Sequence, residues 1–312
     1  MIIYFDQDMP LQAGGIRISQ QTVQRWLTDR WHIPWYDGDD GSPNVALLSW
    51  YGTEKLDQFR STGIPVVFFS DSWWHAARVG TWADLVVFNT EWLRWNSPWR
   101  VDWPDRTDRP PPYPGNSYVL HPPVLPGDWN TASPGTREYV TLVNLADKKG
   151  GRLFWRLAEL MPHQKFLGVR GAYGKQVHGD LPNVTVLDHL SPHALADRVY
   201  ARTQVLLLPS DETYGRVLVE SSFAGVPTRI ALDNLAIRET GTPYVPMPNL
   251  DPVDWLGAIA YPDQVMHGHI PDSRMQMERF EAILYGLIAM KRRQAGSVVL
   301  LDDPPTSAPY DR

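Results

Sequence analysis

The chain is 312 residues long and contains no cysteine, which admits one large or two ordinary domains and excludes disulfide scaffolds, thiolate metal sites and cysteine nucleophiles. Its formal charge of -6 is concentrated in the first half, where 10 basic face 15 acidic side chains up to Asn130, against 19 and 20 after it. Neither half therefore has the basic excess that would grip unmodified duplex DNA as a stable partner. No apolar run approaches the roughly 18 residues of a membrane span, and Met1-Ile2-Ile3-Tyr4-Phe5 meets Asp6 and Asp8 rather than a basic stretch, so a cytoplasmic protein without integral membrane contact is expected.

Ile2 to Phe5 reads as a short strand, and after the pair Gly14-Gly15 the residues Ile16, Val23, Trp26 and Leu27 fall near helical spacing. Val45 to Leu48 follows as a strand, Glu54 to Arg60 as a helix, and the runs Ile64 to Phe69 and Leu85 to Phe88 as continuous apolar strands suited to a parallel sheet covered on both faces. The proline-rich stretch from Asp102 to Pro114 predicts a surface loop, and Pro122 to Pro134 an interdomain linker. From Tyr139 strands and helices alternate, with strands at 139–143, 165–169, 184–187 and 205–208 and helices at 151–160, 192–201 and 215–224. Each half reads as a Rossmann-like domain, the first over 1–130 and the second over 131–271. A last helix over 272–295 ends in Lys291-Arg292-Arg293, complementing its dipole, and a flexible tail over 296–312 follows.

The segment VLLLPSDETYGRVLVESSFAGVP, from Val205 to Pro227, concentrates the chemistry. A strand ends at Leu208 and a helix opens at Tyr214-Gly215, so Glu212 lies at the mouth of the sheet and Glu220 about one and a half turns into the helix. Two carboxylates thus flank a helix N-terminus whose N–H groups and dipole attract anions. A diphosphate on the N–H groups, with sugar hydroxyls on the carboxylates, is one use of that arrangement. An ordinary first-turn glutamate and a solvated helical one are the other.

Pro209, Ser210, Glu212, Tyr214, Gly215, Glu220, Gly225 and Pro227 match the pattern P-S-x-x-E-x-[FY]-G-x-x-x-x-E-x-x-A-x-G-x-P, and the chain resembles retaining nucleotide-sugar glycosyltransferases of family 4. The gap from Ser210 to Glu212 is one residue shorter than in that pattern, and Phe223 replaces its alanine. The resemblance implies α/β GT-B architecture, with two Rossmann-like domains facing across a cleft. It implies that Glu212 contacts the transferred sugar near its anomeric carbon, that Tyr214 and Gly215 lend backbone N–H groups to the phosphates, and that Glu220 holds the ribose.

In LVNLADKKGG, from Leu142 to Gly151, Lys149-Gly150 match the end of the family's G-R-L-x-x-x-K-G, while Asn144 replaces its arginine. The resemblance makes Lys149 a diphosphate ligand and Asn144 a donor-side residue, with Arg170 as a replacement cation and His189 near the nucleobase. Glu239, in AIRETG, is a weaker match to a glutamate near the sugar. In the first half, Gly14-Gly15 resembles the glycine loop over the donor phosphates, and Asp71, after the strand ending at Phe69, is either an acceptor-orienting catalytic group or a helix cap; His75 is a weaker candidate.

Twelve of the 14 tryptophans lie between Trp26 and Trp129. Within that cluster Trp92, Trp95 and Trp99 share one face if helical, either as core or as an aromatic acceptor platform. Asp6-Gln7-Asp8 has metal-motif spacing but reads as a loop, and no metal or cofactor is expected beyond the nucleoside diphosphate sugar itself. The function implied is retaining transfer of a sugar to a hydroxyl of a glycan, protein, lipid-linked or modified-nucleobase acceptor, through Glu212, Lys149 and Asp71. The alternatives are a non-catalytic sugar-nucleotide or glycan-binding module and a nucleotide-sugar epimerase or hydrolase on the same fold.

Overall fold

The computed structural model describes residues 2–5, 15–31, 43–49, 55–72, 82–97, 113–125, 129, 136–172, 174–231, 235–260 and 273–295. Gly14, His75, Trp99 and Asp6-Gln7-Asp8 lie outside them.

Five strands form the first sheet: β1 (Ile3–Phe5), β2 (Val45–Leu48), β3 (Val66–Ser70), β4 (Leu85–Phe88) and β5 (Ser117–Val119), all parallel and in sequential order. Side chains alternate across a strand, so an unbroken run such as Val66-Val67-Phe68-Phe69 supplies two cores. Val67, Phe69, Leu85 and Val87 face one layer with Val23 and Leu27 of helix α1 (Gly15–Trp31). Val66, Phe68, Val86 and Phe88 face the other with Leu56 and Phe59 of α2 (Leu56–Ser61) and Leu93 of α3 (Glu91–Asn96). Thr90 caps α3, its hydroxyl accepting from the Leu93 N–H at 3.0 Å. The helix stops at Asn96 because Ser97 is extended, so it does not carry the tryptophan spacing as far as Trp99.

The second sheet contains β6 (Tyr139–Val143), β7 (Lys165–Val169), β8 (Val184–Leu187), β9 (Thr203–Leu208), β10 (Thr228–Ile230) and β11 (Val245–Pro246). Its order is β11-β10-β9-β6-β7-β8, parallel throughout. From β6 the chain winds outward through β7 and β8, then crosses back to β9 on the other side of β6. Helix α4 (Gly151–Leu160) covers one face, while α5 (Pro192–Arg198) and α6 (Arg216–Phe223) cover the other. Among the described residues this domain also contains α7 (Leu235–Arg238) and α8 (Pro252–Ala260), Trp255 and Ile259 of α8 packing on the α4 side. Within the stretch expected as a linker, Val124 and Trp129 pack into the core beside Tyr200.

The last helix, α9 (Ser273–Gln294), returns to the first sheet. Met277, Phe280, Leu284 and Ile288 join the layer containing α1, and the Lys291 ammonium pairs with Asp84 at 2.7 Å. Phe280 is fully buried between Phe69 and Tyr118. Phe280→Ala should therefore lower the unfolding free energy by about 3–5 kcal/mol. Urea denaturation checks this, and a loss below about 1 kcal/mol would show that α9 contributes little to the first core.

Candidate functional site

In an open parallel sheet, adjacent strands whose following connections leave in opposite directions open a crevice at their carboxyl ends. Here those strands are β6 and β9. Past β6, Asn144 adopts a left-handed backbone (φ 77°), a region asparagine tolerates better than most residues. Its Oδ1 accepts from the Ala146 N–H at 3.0 Å and from Gln176 Nε2 at 3.3 Å. The side chain at the expected arginine position is thus a loop former and supplies no positive charge. A single 3-10 turn, Asp147–Lys149, follows, and Gly150 closes it with φ 91°.

Gly150 packs on Pro209 so closely that an added Cβ would lie 2.0 Å from the proline Cγ. That approach brings Lys149, after β6, against Glu212, after β9. The Lys149 ammonium is ion-paired with Glu212 Oε1, and the Ser210 hydroxyl donates to the same oxygen at 2.5 Å. The missing residue between Ser210 and Glu212 leaves the two side chains in direct contact. Gly215, with φ 83°, then turns the chain into α6, and its carbonyl accepts the first helical bond, from Leu218 N–H at 2.9 Å. The N-terminus of α6 consequently opens beside the Lys149–Glu212 pair.

Glu220 lies on the inner face of α6, 3% exposed. Arg216, one turn earlier, pairs with its Oε1 at 2.7 Å, and the Tyr200 hydroxyl donates to Oε2 at 3.0 Å. Burial raises the carboxyl pKa above its ordinary value, and the Arg216 charge and the Tyr200 hydrogen bond offset only part of that rise. Burial also drives the Tyr200 phenol well above its usual value, reinforced by the Glu220 charge, so Tyr200 remains a donor.

The first domain holds Thr213, beside Glu212, through hydrogen bonds at the ends of β3 and β4. The Thr213 hydroxyl donates to the Asp71 carbonyl at 3.1 Å, the Asn89 amide donates to the Thr213 hydroxyl at 3.1 Å, and the Thr90 hydroxyl donates to the Thr213 carbonyl at 3.0 Å. The Glu239 carboxylate accepts from the Glu91 N–H at 2.6 Å and the Trp92 N–H at 2.5 Å, and His121 Nε2 lies 3.6 Å away. Glu239 is thus occupied by the start of α3. The His121 ring also stacks on Tyr214, with centroids 5.4 Å apart.

Asp71 sits at the carboxyl end of β3 against the Glu212 loop. Burial pushes its carboxyl up to about 7. Arg170 and His189 line the cleft with Asn144, Lys149, Glu212 and Glu220, and Ile18 of α1 closes it from the first domain. The Arg170 guanidinium is engaged by Asp188 at 2.5 Å but remains about half exposed. Trp92 is partly buried against the core layer containing Leu93, so it is at least in part a packing residue. Trp95 is 41% exposed with the Arg94 guanidinium over its ring. Gly15 opens α1.

Arg216, Thr213, Asn89 and Tyr200 were not marked in the sequence. Only Arg216 had a legible signal, its four-residue spacing from Glu220 on one helix face.

No protein-family model matches the sequence, and no curated protein matches it. Among solved structures, Anabaena HepE in complex with UDP-glucose is similar, at 13% identity over 94% of each chain and a TM-score of 0.58. Sucrose-phosphate synthase from Thermosynechococcus elongatus matches at 14% identity, covering 90% of this chain and 78% of its own, with a TM-score of 0.52. An α-glucosyltransferase in complex with UDP and a 13-mer DNA containing an HMU base matches at 13% identity over 94% of this chain and 93% of its own, with a TM-score of 0.51. At such identities the likeness establishes the fold: α/β, GT-B architecture, with two Rossmann-like domains facing across a cleft. No helix among the described residues is long and apolar enough to cross a membrane.

The raised Asp71 pKa has a consequence for stability. Between the ordinary value of 3.8 and about 7, the folded chain holds a proton that the unfolded chain has released, so this group's contribution is full at low pH and is lost as pH rises through that window. Asp71→Asn removes the loss. The stability of Asp71→Asn relative to the parent should rise by on the order of a few kcal/mol from about pH 4 to about pH 7. Chemical denaturation across that range measures it, and a constant difference would show that Asp71 ionises normally.

Proposed function

We propose that the protein is a glycosyltransferase that moves a sugar from a nucleoside diphosphate donor to an acceptor hydroxyl, with retention at the anomeric carbon. The observation that carries this reading is the convergence at one sheet crevice of Lys149, Glu212, the N-terminus of α6 and Glu220. The fold shared with HepE, solved with UDP-glucose, supports it.

In this reading the diphosphate lies across the start of α6, where the N–H groups and helix dipole favour negative charge. Lys149 moves its ammonium between Glu212 and the phosphates, so the charge that develops on the departing diphosphate is met by a cation already oriented. Arg170 is the second cation, exchanging Asp188 for phosphate, and His189 borders the base. Glu212, fixed by Lys149 and Ser210, orients the sugar near its anomeric carbon. The acceptor hydroxyl attacks that carbon on the face the diphosphate leaves, its proton passes to the leaving phosphate oxygen, and the glycosidic bond to phosphate breaks. Glu212 then acts by position and needs no covalent intermediate. We assign Asp71 to the acceptor side, because it follows β3 directly and meets the Glu212 loop at Thr213, and Trp95 as an exposed aromatic of an acceptor surface. No metal is assigned to the reaction.

Incubation with UDP-, GDP- and ADP-sugars, with and without glycan, protein, lipid-linked and hydroxymethylated-base acceptors, tests the reading. Nucleoside diphosphate release with a glycosylated product is expected. Release without product would favour hydrolysis, and binding without release would favour a non-catalytic module. Lys149→Ala and Glu212→Ala should each reduce transfer by about a hundredfold or more while leaving the melting temperature within a few degrees of the parent. Unchanged turnover in both variants would contradict the assignment.

A further inference from the structure

Arg216 occupies the first position of α6, and its guanidinium is held from three directions. Nε lies 2.7 Å from Glu220 Oε1, and Nη1 donates to the Pro123 carbonyl at 2.8 Å and to the Ser19 hydroxyl at 3.3 Å. Its side chain is only 10% exposed. A long cation fixed by a backbone carbonyl and by a hydroxyl from the opposite domain has little freedom to turn away from the carboxylate it faces.

We propose that Arg216 is a positioning residue for donor binding, holding the Glu220 carboxylate ionised and aligned for the ribose hydroxyls. This inference rests on the donor reading above and adds a residue to it. A carboxylate offers about four acceptor positions on its two oxygens. The Arg216 ion pair lies against Oε1 and the Tyr200 hydroxyl takes one position on Oε2, which leaves positions on both oxygens for the two vicinal hydroxyls of a ribose. Tyr200, fully buried, approaches from the protein side, while Arg216 and Glu220 both line the cleft. Burial raises the Glu220 carboxyl pKa even with both supports in place, and without them it would take up a proton more readily still. A protonated carboxyl accepts more weakly and itself needs an acceptor. The other charged groups bordering the cleft are Lys149, Glu212 and Arg170, with His189 at its edge. In the adjoining groove Arg25 and His193 flank Arg216.

The test is calorimetric titration of the full chain with UDP, GDP and ADP from about pH 5.5 to about pH 8.5, for the parent, Arg216→Met, Arg216→Lys, Glu220→Gln and the Arg216→Met, Glu220→Gln double variant. The nucleotide phosphate's own titration is common to all five and cancels when each affinity is divided by that of Glu220→Gln at the same pH. So normalised, the parent profile should vary less with pH than that of Arg216→Met. Arg216→Met should bind about tenfold more weakly at the acidic end and regain affinity as pH rises. Arg216→Lys should restore the parent's profile at lower overall affinity, and the double variant should lose the pH dependence of Arg216→Met. A role in packing alone predicts a uniform loss at every pH. A flat Arg216→Met profile, with Glu220→Gln still weakening binding about tenfold, would overturn the inference and leave the donor reading intact. Unaltered binding by Glu220→Gln, or no binding of any of the three nucleotides by the parent, would overturn the donor reading and this inference with it.

Discussion

A Cβ on residue 150 would lie 2.0 Å from Pro209 Cγ, so the turn after β6 can rest on the loop after β9 only where this residue is glycine. Gly150 also has φ 91°, a conformation that costs a side-chain-bearing residue energy even where space is free. The two loops belong to strands 60 residues apart in sequence but adjacent in the sheet. Their contact sets the ammonium of Lys149 against the carboxylate of Glu212. Both groups are mostly shielded from solvent, where an opposite charge matters more than on an open surface. Without that contact Lys149 and Glu212 would not meet at the N-terminus of α6.

The first domain does more than cover this crevice. Thr213 lies between Glu212 and the buried Tyr214, and its hydroxyl and carbonyl are bonded to the ends of β3 and β4 through Asp71, Asn89 and Thr90. Arg216, three residues on, is bonded to Ser19 of α1 and to the carbonyl of Pro123. The strand-to-helix loop that carries Glu212 is therefore shaped by both domains. Glu239 makes a further tie by accepting from the first N–H groups of α3, a contact that uses a carboxylate where a helix terminus leaves donors unsatisfied. Movement of one domain against the other would have to exchange these hydrogen bonds for contacts with solvent or ligand.

The strands buried on both faces were readable from the sequence because their apolar runs are unbroken, as in Leu85 to Phe88, and the helix at Arg216 was readable from the glycine before it. β5, β10 and β11 were missed: they span three, three and two residues, too short to show a period, and are defined by hydrogen bonding to a neighbouring strand. The tryptophan spacing suggested one helical face through Trp99, but spacing carries no information about where a helix stops, and α3 ends at Asn96 where Ser97 becomes extended. At the candidate site, residue types and order gave Lys149, Glu212 and Glu220. Pairings between distant segments were not legible, since nothing local in Thr213, Asn89 or Tyr200 announces the partner across the fold. Asn144 illustrates the same limit from the other side: it stands where an arginine was expected, and its left-handed backbone and its bond to the Ala146 N–H reveal it as a turn-forming residue.

The central claim is that a nucleoside diphosphate binds at the crevice between β6 and β9. A crystal structure of the full chain with the nucleoside diphosphate it binds tests this most directly. The account predicts phosphate oxygens against Lys149 and the first N–H groups of α6, with the ribose hydroxyls on Glu220. A nucleotide seated in this chain with its phosphates away from Lys149 and its ribose away from Glu220 would contradict it.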